Sequence, residues 1–296
     1  MTNPAQDFSN ALADAVERVS PSVVRVETGR RRPTTGTAWS RDGLVVTTAH
    51  CLEREEGLEV HLESGEVRPA TLVGADLASD LALLRTEGAL STPERAPADS
   101  FRRGNLVLAL SRPGRTVRSS LGVINALADE WRAPGGGKIE RYIQSDIGIE
   151  SGFSGGPLID ASGRWIGLNS AGLLRSTPLA LPLSTIERVV SALLTHGRIQ
   201  RGYLGVSSTP ARLPASAADS VGQRVGLIVT ALQPGGPAEQ AGFLLGDVLL
   251  RLDGRELESI ADLQAALEEC AGRTVPVKLL RAGVAADSSV TPSARS

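Results

Sequence analysis

The stretch "SGFSGGPL", Ser151–Leu158, places one serine, Ser154, between glycines. Glycines beside a hydroxyl allow another molecule to come very close to the backbone, which is typical of a reactive serine. The stretch satisfies two unrelated patterns, G-x-S-x-G and G-x-S-G-G-P. These patterns belong to different folds, so residues outside the stretch must distinguish them.

Between residues 20 and 180, short runs rich in Val, Ile, Leu and Thr alternate with Gly, Pro, Asp and Ser. Examples are "GLVVTTAH" (43–50), "LALLRT" (81–86), "NLVLALS" (105–111) and "WIGLNSAG" (165–172). Many short strands without helical patterns between them predict an all-β barrel or sandwich. The G-x-S-x-G pattern needs the strand–helix alternation of an α/β-hydrolase, and that alternation is missing. The first strong helix after the N-terminal segment is predicted at 183–197, ending at Gly197.

Composition narrows the class of protein. The chain has 296 residues, 41% of them hydrophobic, which is enough for two folded domains. Aromatic residues make up 3% and the net charge is −2, so a nucleic acid is not predicted as a partner. Cys51 and Cys270 lack the spacing of a metal site or a disulfide framework and are interpreted as small buried residues. We predict no metal and no cofactor.

A nucleophilic serine needs a general base, itself oriented by a carboxylate. Three histidines are available. His196 ends a predicted helix, where a cation complements the helix dipole. His61 alternates with Glu59 and Glu63 on a face that we expect to be solvated. His50 follows an apolar strand and is flanked by small residues, which favours it as the base.

The carboxylate is assigned from the segment "GADLASDLALLR", 74–85. Asp80 begins its apolar run, where a partly buried carboxylate needs a partner. The chain order is then His50, Asp80, Ser154, as in chymotrypsin, whereas an α/β-hydrolase has the order serine, acid, histidine. The α/β-hydrolase alternative would need Asp160 and His196, and both have ordinary structural explanations.

Several motifs resemble, in order, those of HtrA/DegP-type serine proteases, which are trypsin-like enzymes carrying PDZ domains. They are "VSPSVVRVE" (19–27), "GLVVTTAHCL" (43–52), "GADLASDLALLR" (74–85), "LGVINAL" (121–127), "YIQSDIGIESGFSGGPLID" (142–160) and "WIGLNSAG" (165–172). The resemblance covers roughly residues 18–292. It implies a mainly β fold, with a trypsin-like double β-barrel followed by a small α+β PDZ domain.

The resemblance also implies a division of the chain. We expect an N-terminal helical segment at 1–19, a serine protease domain at 20–197, a linker at 198–202, a PDZ domain at 203–292 and a tail at 293–296.

Roles for individual residues follow from the same resemblance. Asp80 would orient His50, His50 would deprotonate Ser154, and Ser154 would attack a peptide carbonyl. The backbone N–H groups of Gly152 and Ser154 would form the oxyanion hole. The primary specificity pocket would lie near Gly148, Ile149 and Ala180; no acidic residue sits clearly at its base, which favours small aliphatic side chains at the cleavage position.

The loop of the nucleophile departs from the family pattern, with Glu150 and Ser151 in place of Asn-Pro. Phe153 stands directly before the nucleophile, where the family has Asn. The substitution removes no triad side chain and no backbone donor. Two hypotheses therefore stay open: an active, ATP-independent endopeptidase that cleaves unfolded or damaged proteins, and a proteolytically silent PDZ-bearing peptide binder or chaperone.

The second domain carries two motifs of a PDZ domain, "RGYLGV" (201–206) and "PGGPAEQAGFLLGDVLLRLDG" (234–254). By resemblance, the backbone of Tyr203, Leu204, Gly205 and Val206 would bind the C-terminal carboxylate of a peptide. The strand after this loop would pair with the peptide, and a helix at 259–270 would form the other wall of the groove.

Partners and location are predicted from the N-terminal residues. An amphipathic helix is predicted at 7–19, and by resemblance such a segment supports a homotrimer. The N-terminus has no basic start and no continuous apolar run, and no apolar stretch reaches the length of a transmembrane segment. As written, the chain is predicted to be cytoplasmic; removal of a leader would change this prediction to the cell envelope or periplasm.

Overall fold

The computed structural model describes residues 3–29, 33–52, 56–148, 152–174, 177–199 and 201–295. The chain divides into two compact units, 1–199 and 200–296. The first unit contains two closed barrels and the second contains an antiparallel sheet with helices. The mainly β fold predicted from the sequence is therefore confirmed.

The first barrel is antiparallel, with the strand order β1-β2-β3-β6-β5-β4. Its strands are β1 (Val23–Glu27), β2 (Thr34–Ala38), β3 (Leu44–Thr47), β4 (Leu58–His61), β5 (Val67–Asp76) and β6 (Leu81–Thr86). Every residue of β2 and β3 is buried, which is why these segments lack a simple alternation of apolar and polar residues.

The second barrel has the order β11-β14-β13-β12-β7-β8. Its strands are β7 (Leu106–Ser111), β8 (Arg118–Ala128), β11 (Tyr142–Ser145), β12 (Pro157–Asp160), β13 (Trp165–Ser170) and β14 (Leu179–Pro182); β9 (Trp131–Arg132) and β10 (Lys138–Ile139) form a separate small sheet. Closure of both barrels removes exposed sheet edges.

Two helices pack on the barrels. Helix α1 (Pro4–Val19) begins earlier than predicted, because the Asn3 side chain accepts a hydrogen bond from the Ala5 amide. Its buried face joins an apolar cluster with strands of the second barrel. Helix α2 (Leu183–His196) ends at Gly197, whose φ of 69° is left-handed, and its apolar face packs into a core shared by both barrels.

The second unit has a sheet of order β16-β17-β18-β20-β21, with β19 paired to β18. The elements are β16 (Val206–Arg212), α3 (Ala215–Val221), β17 (Val225–Leu232), α4 (Pro237–Gln240), β18 (Val248–Leu252), β19 (Arg255–Glu256), α5 (Ile260–Cys270), β20 (Val275–Arg281) and β21 (Val284–Val290). Helix α5 begins with a capping box formed by Ser259 and Asp262. Helix α3 was not predicted from the sequence.

The predicted linker and tail need correction. Strand β15 (Arg201–Tyr203) pairs antiparallel with β22 (Ser293–Arg295), so parts of both segments belong to one sheet. A Cβ at Gly202 would lie 2.4 Å from the Leu267 carbonyl oxygen, so only glycine fits this close packing against α5. Neither strand has an alternation of apolar and polar residues, because backbone hydrogen bonds rather than apolar burial hold the two strands together.

Candidate active site

His50 lies in a short 3₁₀ turn, Ala49–Cys51, that directly follows strand β3. The Ala49 amide donates to the backbone carbonyl of Asp80 at 3.2 Å, and the His50 amide donates to Asp80 Oδ1 at 2.9 Å. These two backbone contacts tie the turn to the residue before β6. They hold the backbone of His50 next to the Asp80 carboxylate, whatever the orientation of the imidazole ring.

The His50 ring also contacts this carboxylate. Nδ1 lies 2.9 Å from Asp80 Oδ1 and 2.8 Å from Oδ2, and Asp80 is 4% exposed. Asp80 has a φ of 57°, a left-handed conformation that is uncommon outside glycine and strained unless surrounding contacts maintain it. A buried carboxylate in this position orients an imidazole ring and stabilises its protonated form.

Two further residues around Asp80 escaped the sequence analysis. The Ser170 hydroxyl, at the end of β13, donates to Asp80 Oδ2. A Cβ at Gly172 would lie 2.5 Å from His50 Nδ1 and 2.6 Å from Asp80 Oδ2, so the contact requires glycine. The available signal was the polar and small residues of "NSAG" directly after an apolar strand.

Ser154 is 5% exposed and belongs to the loop before β12. Its Oγ accepts a hydrogen bond from the Ala171 amide at 3.2 Å, and its carbonyl accepts one from the Thr34 hydroxyl at 3.0 Å. Within the described residues, no hydrogen bond joins Ser154 Oγ to His50 Nε2. Such bonds are often long without substrate and shorten when the reacting complex forms.

Nε2 of His50 instead lies 3.3 Å from Cys51 Sγ. The interpretation of Cys51 as an inert buried residue is wrong, because the side chain is only partly buried and contacts a catalytic candidate. Cys270, by contrast, is fully buried, and its thiol donates to the Ala266 carbonyl. Sequence spacing could not reveal the first contact, since neighbours in a chain rarely face each other.

The titration of the two groups is linked. The hydrogen bond to Asp80, with a second contribution from Cys51, raises the pKa of His50 to about 10, although burial opposes the shift. Burial alone would raise the pKa of the Cys51 thiol, but hydrogen bonds with His50, Thr34 and Thr48 outweigh it and lower that pKa. Each group thus favours the charged form of the other.

The loop before Ser154 has two backbone amides suited to an anion. Gly152 has a φ of 98°, and its carbonyl accepts a hydrogen bond from the Thr35 hydroxyl at 2.6 Å. Within the described residues, no acceptor pairs with the amide of Gly152 or of Ser154. Gly155 also has a positive φ, and a Cβ there would lie 1.9 Å from the Thr35 carbonyl oxygen.

Phe153 is 4% exposed and belongs to the apolar core of the second barrel, which it shares with Ile147 and Ala180. Its carbonyl accepts a hydrogen bond from the Gly156 amide at 3.0 Å. The aromatic ring is therefore part of the packing that holds the loop. It replaces a polar side chain of the family pattern with an apolar anchor.

The three residues predicted near a specificity pocket have different surroundings. Ala180 lies on β14 and is buried in the second barrel. Gly148 is exposed, and a Cβ built there would meet nothing within 4 Å. Ile149 lies outside the described residues, as do Glu150 and Ser151.

One group among the described residues combines three metal-ligating side chains, Glu27, Glu59 and His61. His61 Nε2 lies 3.4 Å from Glu59 and 3.6 Å from Glu27, on paired strands of the first barrel. Glu63, predicted on the same face, pairs instead with Arg112. Arg25 bonds Glu27 and brings a positive charge to the group, so we assign no metal there.

The loop predicted to bind a carboxylate connects β15 to β16. Gly205 has a φ of 77°, and its carbonyl accepts a hydrogen bond from the Gln233 amide at 2.8 Å. The Leu204 carbonyl accepts one from Ala238 at 2.9 Å, and the Leu204 side chain lies in the core of the second unit. The Tyr203 hydroxyl bonds Gln233, and Val206 begins β16, which lies at the edge of its sheet.

Comparisons with known proteins agree with this geometry. Residues 34–168 match a trypsin-like peptidase domain, and residues 228–281 match a PDZ domain. The putative serine protease HhoB of Synechocystis is 30% identical over 88% of this chain and 73% of its own length. The chain belongs to the HtrA/DegP family of serine proteases. This HtrA-type protein is a serine endopeptidase with a C-terminal PDZ domain.

Further relatives show how much of the HtrA architecture is present. A probable periplasmic DegP-like serine endoprotease of Brucella suis is 32% identical over 90% of this chain, which spans 54% of that protein. Among solved structures, an HtrA-type protease AlgW with a decapeptide has a TM-score of 0.78 at 25% identity and covers 96% of this chain and 99% of its own. A serine endoprotease from Yersinia pestis gives the same TM-score at 27% identity, over 96% of this chain and 98% of its own.

Proposed function

We propose that His50, Asp80 and Ser154 are the catalytic triad of this endopeptidase. The observation that carries the proposal is the two-point contact of the His50 ring with the buried Asp80 carboxylate. His50 takes the proton of Ser154 Oγ as that oxygen attacks a peptide carbonyl, and then returns it to the leaving amine. Asp80 holds the ring and stabilises the imidazolium during both steps. Water then hydrolyses the acyl-enzyme.

The amides of Gly152 and Ser154 are proposed to stabilise the oxyanion that forms on the substrate carbonyl. Two points support this role: both amides lack an acceptor within the described residues, and the Thr35 hydroxyl holds the Gly152 carbonyl. A donor of this kind contributes about 3–4 kcal/mol to the transition state.

The alternative function, a proteolytically silent peptide binder or chaperone, rests on the presence of Phe153 before the proposed nucleophile. Its burial in the second barrel weakens that alternative, because the ring occupies the core and the loop keeps its amide donors. An active protease is therefore the better-supported function. A fluorophosphonate probe tests it: we expect the protein to be labelled and Ser154→Ala to remain unlabelled. Absence of labelling in a folded sample would favour the silent peptide binder.

The substrates proposed are unfolded or damaged proteins, cleaved without ATP, and the PDZ domain is proposed to bind peptide C-termini. The unpaired edge of β16 beside the Tyr203–Val206 loop supports addition of a peptide strand there. Small aliphatic side chains are proposed at the cleavage position, from the site expected near Gly148, Ile149 and Ala180. Peptide libraries with Ala, Val, Arg or Phe at that position test this preference; a preference for Arg would contradict it.

A homotrimer assembled through α1 is proposed for the native protein. Phe8 of this helix is 50% exposed, whereas Ala15 and Val19 are buried against the protein's own second barrel. Light scattering should give the mass of three chains and should fall toward one chain in Phe8→Glu. A monomeric wild-type protein would contradict the proposal.

For the compartment, we propose the periplasm, since relatives such as the DegP-like protein carry that location in their names. The cytoplasmic location predicted from the N-terminus has no support in these relatives. Across the described residues, no helix has the length and hydropathy needed to traverse a bilayer. Fractionation of the native host with an antibody against the protein tests the location.

A further inference from the structure

A cavity of about 520 Å³ lies beside the first barrel, away from the His50 turn. Three segments line it: β1, the turn between β4 and β5, and the connection from β7 to β8. The basic and acidic residues of its lining are Arg25, His61, Glu63, Arg112 and Arg115. Three guanidinium groups thus face one carboxylate across the cavity, and Glu27 and Glu59 do not line it.

Arg112 is the most unusual of these residues, because it is 2% exposed. Its Nη2 donates to Glu63 Oε1 at 3.1 Å, while Nε and Nη1 are buried without a hydrogen-bond partner. Burial lowers the pKa of this guanidinium, although Glu63 opposes the shift. A buried cation with two unpaired donors is costly unless a ligand supplies acceptors.

Unpaired donors recur around the same cavity. Arg25 Nε is also buried without a hydrogen bond, although Nη2 of the same side chain contacts Glu27. His61 Nε2 makes no hydrogen bond either, but it lies 3.4 Å from Glu59 and 3.6 Å from Glu27. Arg115 is exposed and has no partner among the described residues. Four buried side-chain nitrogens without a hydrogen bond therefore belong to residues that line this one cavity.

We propose that this cavity, hereafter the arginine pocket, binds a phosphate group. Guanidinium groups bind phosphate with paired, charge-assisted hydrogen bonds. Three of them approaching from two segments, β1 and the β7–β8 connection, suit a dianion with several acceptor oxygens better than a carboxylate with two. The cavity is large enough for inorganic phosphate or for a small phosphate ester.

The arginine pocket is connected to the loop of the nucleophile. The Arg112 amide donates to Thr35 Oγ1 at 2.8 Å, and the Thr35 hydroxyl in turn donates to the Gly152 carbonyl at 2.6 Å. A Cβ at Gly152 would lie 2.7 Å from Pro113 Cβ, so the two segments also touch. Phosphate in the pocket would bias the position of Gly152. This second step rests on the proposed function of Gly152 in the oxyanion hole.

Binding is tested first, by calorimetry of inorganic phosphate with the full-length Ser154→Ala protein at constant ionic strength. Constant ionic strength is needed because salt screens exposed charges. We expect saturable binding that Arg115→Ala weakens about tenfold, as expected for one lost phosphate contact. Arg103→Ala, a change of an exposed arginine outside the pocket, is the matched control and should bind normally. Arg115 is exposed, so its replacement should not prevent folding.

Arg112→Met keeps the size of the buried side chain without its charge and should abolish binding if the variant folds. No saturable binding by the parent protein, or equal binding by Arg115→Ala, would overturn the proposal. Acetate replaces phosphate in a parallel titration, and equal affinity for the two would overturn the assignment to phosphate. A small phosphate monoester, such as glycerol phosphate, separates a free-ion site from an ester site.

The connection to Gly152 is tested on the wild-type protein by the rate of fluorophosphonate labelling. Saturating phosphate should change that rate about threefold or more, since small shifts in the population of a loop alter the rate proportionally. An unchanged rate with an occupied pocket would overturn the connection. Binding does not depend on catalysis, so failure of labelling altogether would refute the proposed function and leave the phosphate site to its own test.

Discussion

Cys51 Sγ lies 3.3 Å from His50 Nε2, the ring nitrogen that a serine nucleophile needs. The other ring nitrogen contacts Asp80 at 2.8 Å. The imidazole is thus held between a carboxylate and a thiol, and both raise its pKa, to about 10. With the proposed triad, the thiol competes with Ser154 for His50 in the resting enzyme.

Replacement of Cys51 by Ala should increase activity near neutral pH. A general base must be unprotonated, so the rate rises with pH as His50 loses its proton. Loss of the Cys51 contact lowers the pKa of His50. Each unit by which this pKa falls increases the unprotonated fraction of His50 about tenfold at pH values below the pKa. The pH profile of kcat/KM measures this: its acid limb should shift to lower pH in Cys51→Ala.

Cys270→Ala, which removes the buried thiol of the second unit, is the control and should leave the profile unchanged. An acid limb at the same pH in Cys51→Ala and the wild type would contradict the competition.

Ser170→Ala should lower kcat with little effect on KM. The Ser170 hydroxyl donates to Asp80 Oδ2, and a hydrogen bond to a charged group contributes about 1.5–3 kcal/mol. A loss of kcat of about tenfold or more follows if the bond holds Asp80 against the ring. Steady-state kinetics on a peptide substrate provide the measurement, and Ser191→Ala on α2 is the exposed control. An increase in KM with an unchanged kcat would argue against this role.

Gly172→Ala should abolish most activity without unfolding the protein. Its Cβ would enter the space between His50 Nδ1 and Asp80 Oδ2, at 2.5 and 2.6 Å. Misplacing the base by about 1 Å can reduce the rate about 100-fold. Labelling by fluorophosphonate reports the loss, and circular dichroism reports folding. In Gly114→Ala the new Cβ meets nothing within 4 Å, so that variant should label normally.

Phe153→Ala should destabilise the first unit by about 3–5 kcal/mol, the usual cost of removing a buried Phe side chain. Phe153 is 4% exposed in the second barrel core, and the loop of Ser154 depends on its packing. Denaturant unfolding followed by a probe of the first unit measures the change. Phe153→Leu retains most of the apolar volume and should lose much less stability. Equal stability of Phe153→Ala and the wild type would show that the ring is not an anchor.

Gly205→Ala should weaken binding of a C-terminal peptide about tenfold while labelling of Ser154 continues. The position has a φ of 77°, which L side chains adopt only with strain, and its Cβ would approach Gln233 at 3.3 Å. Fluorescence anisotropy with a free and an amidated peptide measures recognition of the carboxylate. Gly272→Ala has a similar φ of 73° outside the loop and is the matched control. Equal binding of both peptides by the wild type would refute the carboxylate loop.

The mainly β organisation of the first unit was predictable because short apolar runs rich in β-forming residues alternate with turn residues along the chain. The end of α2 and the beginning of α5 were also predictable from local sequence. Gly197 can adopt the left-handed φ that ends a helix, and Ser259 can cap the first turn of one. The contact between His50 and Asp80 could be expected from the sequence through the need of a buried carboxylate for a partner. The pairing of β15 with β22 could not be expected from the sequence, because the two strands are polar and distant from each other in the chain.

By itself, the sequence determined the order of histidine, acid and serine, the family, and the glycines that the turns require. These features depend on local backbone preference and on residue identity. The tertiary structure alone decided that Cys51 contacts His50, that Ser170 contacts Asp80, and that Phe153 is buried in a barrel core. Each of these depends on strand register and side-chain direction, which barrel closure sets for residues far apart in the chain.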